Sequence, residues 1–354
     1  MNPLENKRVL VTGGTGSLGQ VLVRRLLAGD LGMPSKIIVL SRDEAKQHAM
    51  RVEYMKKANA TDEVIYQNFR ERLEFRIGDV RDYHSVAMTL TEADVVFHAA
   101  ALKQVPACEY FPYQAVMTNI AGPENIARAI RELRIPIETV IGISTDKACK
   151  PVNVMGMTKA IQERVFIQAN MRCPQTRFIC VRYGNVLASR GSVIPFFHEQ
   201  IRHGGPVTIT TPEMTRFLLS LDQAVDTVFA AVRGGKAGDT YVPRAPAARV
   251  TDIAALLIGD RRIETVVTGI RPGEKVHEIM VSEEECHRTV ARDGYFVILP
   301  MLPELRGDAP VEAALRGEYS SADNVMDRKA LADLLHRYQL MVEDNPHPEQ
   351  ELLR

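Results

Sequence analysis

The residues best suited to chemistry in this chain are Asp146 and Lys147. They follow Thr145 at the end of a short apolar run that predicts a β-strand. In open α/β sheets the active-site loops converge at such strand ends. An adjacent carboxyl and amine can act as a general acid and a general base when their pKa values are shifted in opposite directions. The alternative is an ordinary turn with a surface ion pair.

A glycine-rich turn is the second feature that could bind a ligand. Residues 12–19 read TGGTGSLG, directly after the apolar run 9–11 and before an apolar-periodic stretch, 20–27, that predicts a helix. Such glycines let the backbone approach a pyrophosphate, whose charge the helix N-terminus stabilises. Since a strand and a helix flank the turn, we predict a dinucleotide site here. The residues assigned to it are Gly13, Thr15, Gly16, Ser17, Leu18 and Gly19.

The end of the predicted second strand bears on the choice of cofactor. NAD sites usually carry an acidic residue there for the ribose hydroxyls, whereas NADP sites carry cations or small donors for the 2′-phosphate. The chain has Ser41 and Arg42 at these positions and Lys46 one turn later. We therefore predict NADP, with NAD the less favoured cofactor. The alternative is a capped helix whose Arg42 and Lys46 are merely solvated.

Two further segments are assigned to the cofactor pocket. Asp79 and Val80 follow the predicted third strand, where Asp79 either accepts a hydrogen bond from adenine or is a turn residue. The small residues Ala99, Ala100 and Ala101 follow the fourth strand. They leave room for the backbone to pass close to the cofactor diphosphate and the nicotinamide ribose.

The order of elements predicts an α/β fold with a doubly wound parallel sheet. Apolar strand-like runs alternate with amphipathic helical stretches up to residue 182. Beyond that point proline and glycine become frequent and short strands mix with helices. We predict a dinucleotide-binding domain over 1–182 to which some later segments return, a smaller substrate-binding lobe over 183–335, and a tail over 336–354. The predicted strands of the first part are 8–12, 36–40, 73–77, 95–99, 138–144 and 177–182.

Composition gives no support to several classes of function. The chain of 354 residues has 44 basic and 44 acidic side chains and no long run of like charge, so neither nucleic acid nor a membrane surface is an expected partner. No apolar stretch approaches the length of a bilayer span, and the N-terminus does not read as a signal peptide. The five scattered cysteines read as reduced thiols without metal-ligand spacing. We expect a cytoplasmic protein without a metal site.

The motifs together resemble the extended short-chain dehydrogenase/reductase superfamily, over about residues 7–300. They are most similar to its polysaccharide-biosynthesis branch, which contains C5-inverting UDP-N-acetylglucosamine 4,6-dehydratases and CapD-type UDP-sugar 4-epimerases. Their occurrence in this order is more specific than any single motif. The motifs are TGGTGSLG, SRDEAKQ, GDVRD, HAAALKQVPACEY, STDKACKPVNVMGMTK, RYGNVLASRGSVIPFF, MTRF and RPGEKVHE.

The resemblance implies a Rossmann fold and a UDP-N-acetylhexosamine 4,6-dehydratase for surface-glycan synthesis. In that reaction hydride leaves C4 of the sugar, the C5 proton and the C6 hydroxyl are lost, and the hydride returns at C6. The resemblance makes Asp146 the acid and Lys147 the base, and a base needs a pKa pulled towards neutrality. The alternatives are a UDP-sugar 4-epimerase and an NADP-binding regulatory homologue without turnover. Since relatives form dimers to hexamers, we expect a homo-oligomer.

One position departs from the superfamily pattern. Most members carry Tyr-x-x-x-Lys, in which the tyrosine oxygen takes the proton of the sugar hydroxyl. Here Met155 replaces the tyrosine and shares a helix face with Lys159. A thioether cannot accept that proton, so the acceptor must be another group, such as Lys147 or a water held by Thr145. Lys159 keeps its implied role at the nicotinamide ribose.

The second half of the chain carries the residues that the resemblance assigns to a UDP-sugar. Arginines suit this ligand because a guanidinium binds phosphate bidentately, although a surface salt bridge is the alternative for each one. Lys103, after the fourth strand, either contacts the substrate or the cofactor phosphates or is solvated. The assigned residues are Asn185 at the diphosphate, Val193 near the uridine, Arg216 and Arg271 as cations, and Glu274 at a ribose hydroxyl.

Overall fold

The core of the molecule is a nine-stranded β-sheet. The computed structural model describes residues 2–56, 68–187, 192–307 and 311–344. The strands are β1 (Arg8–Thr12), β2 (Lys36–Ser41), β3 (Leu73–Ile77), β4 (Val95–His98), β5 (Thr139–Ile143), β6 (Arg177–Val181), β7 (Val207–Ile209), β8 (Thr215–Phe217), β9 (Thr240–Pro243), β10 (Ala247–Arg249), β11 (Thr265–Val267), β12 (Ile279–Val281), β13 (Thr289–Arg292), β14 (Tyr295–Ile298) and β15 (Tyr319–Ser320).

Helices cover both faces of this sheet and build most of the C-terminal lobe. Those with both ends described are α1 (Ser17–Ala28), α2 (Glu44–Lys56), α3 (Tyr83–Leu90), α4 (Val105–Tyr110), α5 (Pro112–Val116), α6 (Gly122–Leu133), α7 (Val154–Arg172), α8 (Val193–Arg202), α9 (Leu221–Gly234), α10 (Val250–Ile258), α11 (Glu283–Cys286), α12 (Pro303–Arg306) and α13 (Arg328–Arg337).

The sheet confirms the predicted doubly wound architecture. Its strand order is β3-β2-β1-β4-β5-β6-β9-β14-β13. All pairs from β3 to β9 are parallel, and β14 and β13 add an antiparallel edge. Successive strands lie on one side of β1 up to β3 and on its other side from β4 onwards, so the strand order reverses between β1 and β4. Ligands of open α/β sheets bind in the crevice outside the strand ends at such a point.

The sequence of β1 explains why it lies at the centre. Val9, Leu10 and Val11 are all fully buried, which is typical of a parallel strand covered on both faces. Since side chains alternate along a strand, Val9 and Val11 pack with Leu22 of α1 on one face. Leu10 packs on the other face with Ile126 of α6. The apolar run that predicted this strand is therefore continuous, because alternate side chains are buried under helices on opposite faces of the sheet.

The C-terminal lobe has a core of its own and reaches past the predicted boundary. Its helices α8, α10 and α13 pack through Phe197, Leu257 and Leu335. The predicted start of the tail at residue 336 falls inside α13, and the backbone oxygen of Leu340 lies 2.9 Å from Nε2 of the buried His198. The core of the lobe therefore includes packed residues as far as Val342. The rest of the predicted tail, residues 345–354, lies outside the described residues.

Two further expectations concerned membrane spans and the state of the cysteines. Within the described ranges, none of the helices has the length and apolar character needed to cross a bilayer. All five cysteines are buried and free.

Candidate active site

A cleft of about 1540 Å³ lies along the carboxyl ends of the parallel strands and continues under the C-terminal lobe. Every residue that the sequence analysis assigned to a site lines it except Asp146, which is fully buried behind the lining. The residues at one end, which were predicted to bind the cofactor, are Gly13, Thr15, Gly16, Ser17, Leu18, Gly19, Ser41, Arg42, Lys46, Asp79, Val80, Ala99, Ala100 and Ala101. The others are Thr145, Lys147, Met155, Lys159, Lys103, Asn185, Val193, Arg216, Arg271 and Glu274.

The glycine turn packs too tightly for side chains at two of its positions. Gly13 has φ +70, and a Cβ there would lie 2.6 Å from the backbone nitrogen of Ala100. A Cβ on Gly19 would lie 2.5 Å from the carbonyl oxygen of Gly13. Gly16 caps α1 without a side-chain hydrogen bond, so the first amides of the helix are open to the cleft. This cradle fits the diphosphate of a dinucleotide.

The end of β2 carries a hydroxyl instead of a carboxylate. Ser41 Oγ lies 3.0 Å from Thr15 Oγ1, which ties β2 to the glycine turn. Arg42 is more than half exposed, and its Nη1 lies 3.8 Å from Asp79 Oδ2. Lys46 pairs with Asp43 Oδ2 at 3.1 Å. These contacts are weak and solvent-exposed, so both cations can turn towards an anionic group in the cleft.

Asp79 is more strongly engaged than the sequence indicated. Its Oδ2 accepts hydrogen bonds from Nε and Nη2 of Arg81 at 2.9 and 2.6 Å. Burial favours the neutral acid, but the Arg81 contacts outweigh it and lower the pKa of Asp79. Asp79 is therefore a carboxylate held in place by Arg81 at the wall of the cleft. Its neighbour Val80 is buried and lines the same wall.

Asp146 and Lys147 form a buried charge cluster with a third residue, Glu278. Asp146 Oδ1 accepts hydrogen bonds from Thr145 Oγ1 at 2.9 Å and from Lys147 Nζ at 3.1 Å. The same Nζ lies 3.2 Å from Glu278 Oε1. Among the residues that the structure describes, Asp146 Oδ2 and Glu278 Oε2 have no hydrogen-bond partner. One ammonium therefore bridges two carboxylates at the wall of the cleft.

The cluster shifts the pKa of each member in a definite direction. Burial raises the pKa of Asp146, Lys147 opposes this, and Glu278 adds to it, so the result is a raised value. Burial alone would raise the pKa of Glu278, but Lys147 and the nearby Arg216 outweigh this effect and lower the pKa. Asp146 is therefore the carboxyl that holds a proton more readily, as its implied role as the acid requires.

Lys147 does not behave as the sequence argument expected. Its burial favours the neutral amine, but Asp146 and Glu278 outweigh that effect and raise its pKa. The expectation of a pKa pulled towards neutrality is thus corrected, because two carboxylates lie within hydrogen-bond distance of one amine. In the free protein Lys147 is an ammonium.

Met155 and Lys159 occupy the same wall of the cleft on α7. Met155 is 5% exposed and packs with Cys108 and Ala115, so it fills space beside the site. Lys159 Nζ donates hydrogen bonds to the carbonyl oxygen of Ile143 and to Gln162 Oε1. Burial lowers the pKa of Lys159 to about 8. Neither contact involves an anionic partner, so the ammonium is available to a ligand at the end of β5.

The far end of the cleft combines cations with unpaired polar groups. Arg216 is 9% exposed, and its Nη1 donates to the carbonyl oxygens of Thr215 at 2.7 Å and Val276 at 3.1 Å. Asn185 Oδ1 and Ser192 Oγ are buried and lack a partner among the described residues. Buried polar groups are normally paired, so unpaired ones lining a cleft mark a surface that a polar ligand completes.

The remaining predicted substrate residues lie on the rim. Arg271 is exposed in the loop between β11 and β12, and Glu274 Oε2 accepts a hydrogen bond from Thr210 Oγ1 at 3.4 Å. Val193 is the first residue of α8 and Lys103 lies in the loop after β4. The structure therefore brings Lys103 and Arg271 to the same cleft from distant parts of the chain.

Among the cleft residues that were not assigned from the sequence, three lie close to Asp146 and Lys147. Glu278 and Lys275 both belong to the RPGEKVHE segment, from which only Arg271 and Glu274 were used. Tyr183, which precedes Asn185, lines the cleft beside Asp146, and burial raises its pKa. Glu278 lies in the same motif as Arg271 and Glu274, but a glutamate is usually exposed to solvent, and the residue pattern alone does not reveal that this one is buried.

A buried ion network supports the strand ends from behind. Arg182 donates from Nη2 to Glu163 Oε2 at 2.7 Å and from Nη1 to Glu285 Oε2 at 2.8 Å. Ser144 Oγ donates to Glu163 Oε1 at 2.5 Å. These four side chains join β5, α7, the end of β6 and α11. The network fixes the strand end from which Asp146 and Lys147 follow.

The fold and this cleft define an extended short-chain dehydrogenase/reductase. The chain belongs to the polysaccharide biosynthesis protein family, whose pattern matches residues 9–300. It is 44% identical to a UDP-glucose 4-epimerase of Rickettsia conorii over 285 residues, 79% of each chain. It is 40% identical over 310 residues, 84% of this chain and 87% of the other, to a protein of Methanocaldococcus jannaschii described as an uncharacterized membrane protein.

Solved structures agree with this family. Pen from Bacillus thuringiensis is 31% identical with a TM-score of 0.83, covering 96% of this chain and 99% of its own. A dTDP-glucose 4,6-dehydratase from Streptomyces venezuelae, solved with NAD bound, has a TM-score of 0.64 over 76% of this chain and 86% of its own. It is 22% identical, so that likeness shows the fold alone. The family match and the UDP-glucose 4-epimerase relatives together support a nucleotide-sugar-modifying enzyme.

Proposed function

We propose that this protein is an NADP-dependent UDP-N-acetylhexosamine 4,6-dehydratase that acts on UDP-N-acetylglucosamine with inversion at C5, for surface-glycan synthesis. The observation that carries the proposal is the contact between Asp146, a fully buried carboxyl with a raised pKa, and Lys147 at the cleft wall. Dehydration needs a proton removed at C5 and another delivered to the departing C6 hydroxyl. An acid and an amine in direct contact suit both tasks.

The cofactor end of the cleft fits a dinucleotide phosphate. The open amides of Ser17 and Leu18 at the start of α1 would hold the diphosphate. Arg42 and Lys46 would hold the 2′-phosphate, because Ser41 stands where NAD sites carry an acidic residue. NADP bound there supplies a hydride acceptor at C4 of the sugar and later a hydride donor.

The protein's own residues can carry out the proton transfers. The proton of the C4 hydroxyl goes to Lys147 or to a water held by Thr145, and a proton is returned to C5 when the hydride returns at C6. Moving one proton from Lys147 to Asp146 converts the ion pair into a neutral acid and a free amine, and the burial of Asp146 favours this form. Lys147 then takes the C5 proton. Since Asp146 does not line the cleft, its proton reaches the C6 oxygen through Lys147 or through Thr145, whose hydroxyl contacts Asp146 Oδ1.

The far end of the cleft suits a nucleoside diphosphate. Arg216 and Arg271 offer guanidinium groups to the phosphates. The unpaired Asn185 Oδ1 and Ser192 Oγ require hydrogen bonds that a polar ligand can supply. Glu274 has the acceptor oxygens that a ribose hydroxyl needs.

The test is the product formed from UDP-N-acetylglucosamine with NADP in deuterated water, followed by NMR. A 4-keto-6-deoxy sugar with deuterium at C5 is the expected product. The variant Lys147→Ala should form none while its NADP affinity, measured by titration, stays unchanged. Unchanged turnover in this variant would remove Lys147 from the mechanism. NADP binding by the wild type without conversion of any UDP-sugar would favour the regulatory homologue.

A UDP-sugar 4-epimerase is the second candidate, favoured by the names of the Rickettsia relatives. Epimerisation needs only the first hydride transfer and its return to the other face of C4. The same experiment separates the two reactions, because an epimerase would give UDP-N-acetylgalactosamine without deuterium. UDP-glucose should be assayed alongside, with UDP-galactose as the epimerised product.

A further inference from the structure

Glu278 is a buried carboxylate at the cleft that takes no part in the proposed proton transfers. It lies directly before β12 and is 2% exposed. Its Oε1 is 3.2 Å from Lys147 Nζ and 3.9 Å from Arg216 Nε. Its other oxygen, Oε2, is buried and has no hydrogen-bond partner in the part of the chain that the structure describes. A carboxylate in this state costs free energy, which calls for an explanation.

Anchoring of the backbone does not explain the side chain. The backbone nitrogen of Glu278 donates to Ser321 Oγ at 2.9 Å, and the backbone nitrogen of Ser321 donates to the carbonyl oxygen of Glu278 at 2.8 Å. These bonds fix the main chain beside β15 without the carboxylate. The nearest contact that the side chain makes is the one to Lys147, so its effect must be sought there.

The charges around the cluster show what that effect is. Glu278 and Asp146 are its anions, and Lys147 lies between them. The other charged or titratable groups that face the cluster are Arg216, Lys275 and Tyr183. Two cations beside the pair disfavour protons on it, and an adjacent anion favours them. Glu278 therefore favours protons on the Asp146–Lys147 pair, whereas Arg216 and Lys275 disfavour them.

We propose that Glu278 is a positioning residue that holds Lys147 against Asp146 and strengthens the hold of Lys147 on its proton. The effect of Glu278 on turnover rests on the proposed dehydratase activity. Its effect on the protonation of Lys147 concerns the free protein and follows from the geometry of the cluster. The raised pKa values of both Asp146 and Lys147 agree with it.

The test compares the full-length wild type with Glu278→Gln. Trace labelling with acetic anhydride at a series of pH values, followed by mass spectrometry, gives the titration of Lys147, with the exposed Lys329 as an internal reference. Loss of the anion should move the midpoint of Lys147 to lower pH by about one unit or more. The pH–rate profile of product formation should move in the same direction. The control is Glu283→Gln, whose side chain is 70% exposed and contacts only the surface Lys150 among the ion pairs of the described residues.

An unchanged Lys147 titration in Glu278→Gln would overturn the proposal, whatever the activity does. If this variant does not fold, Glu278→Asp keeps the charge but withdraws it by one methylene, and a smaller shift in the same direction is expected. No shift in a folded Glu278→Asp would overturn the proposal equally. If the wild type forms no dehydrated product, the proposed function fails, but the labelling experiment still decides the role of Glu278.

Discussion

Replacing Gly13 by alanine should destabilise the protein much more than the same change at Gly16. At Gly13 the new Cβ would lie 2.6 Å from the nitrogen and 2.7 Å from the Cα of Ala100, at φ +70. The left-handed backbone costs about 1–2 kcal/mol for a residue with a Cβ. Forcing β1 and β4 apart adds about 1–3 kcal/mol. The expected loss of unfolding free energy is therefore roughly 2–5 kcal/mol.

Gly16→Ala is the matched control because the residue lies in the same turn with φ −79. Its Cβ would meet only the carbonyl oxygen of Gly13, at 3.3 Å. We expect a cost below about 1 kcal/mol, the difference between glycine and alanine at a helix N-cap.

Urea unfolding followed by circular dichroism measures both variants, and NADP titration shows whether the cradle is intact. Gly13→Ala should also lose NADP affinity, because Ala100 belongs to the same wall of the cleft. Equal stability of the two variants would refute the reasoning that the approach of the two strand ends fixes the glycine.

Two further predictions concern a single charge each. Arg42→Ala should weaken NADP binding about tenfold and change NAD binding little, since an exposed charged hydrogen bond contributes about 1.5 kcal/mol; an equal loss for both cofactors would show that Arg42 does not contact the 2′-phosphate. Burial acts against ionisation of Glu285, but Arg182 lowers its pKa from 4.5 to about 2, so its stabilising effect is present above pH 4.5 and is lost as the pH falls towards 2. Glu285→Gln should therefore cost about 3 kcal/mol at neutral pH and flatten the acid-induced fall in melting temperature, and a parallel pH curve would contradict this.

The parallel sheet could be predicted because its signal is local. The run Val9–Val11 is apolar throughout because helices cover both faces of the sheet. The glycines follow directly, between this strand and a helix, which is the context that the dinucleotide-binding motif requires. The antiparallel edge could not be predicted in the same way. Strands β13 and β14 are four residues each, and nothing in their own sequence indicates that β14 pairs with β9 and β13 with β14.

The candidate site could be predicted in its members but not in its electrostatics. Asp146 and Lys147 were identified by their place at a strand end, and the structure places Lys147 at the cleft with Asp146 buried behind it. The pKa of Lys147 is raised by its neighbour Asp146 and also by Glu278, which is 131 residues away along the chain. Long-range contacts of this kind determine a pKa, and a motif read along the sequence does not contain them.

The return of the chain to the central sheet has a consequence for how the protein can be made. β9 pairs with β6, and β14 covers β9, so residues beyond 240 complete a sheet whose first strand is at residue 8. During synthesis on the ribosome, the edge of β6 stays unpaired until β9 has emerged, and the sheet is complete only after residue 298 has left the exit tunnel. Splitting the chain at residue 182 for separate expression should therefore give two insoluble fragments, whereas co-expression of the two pieces offers them a route to assemble.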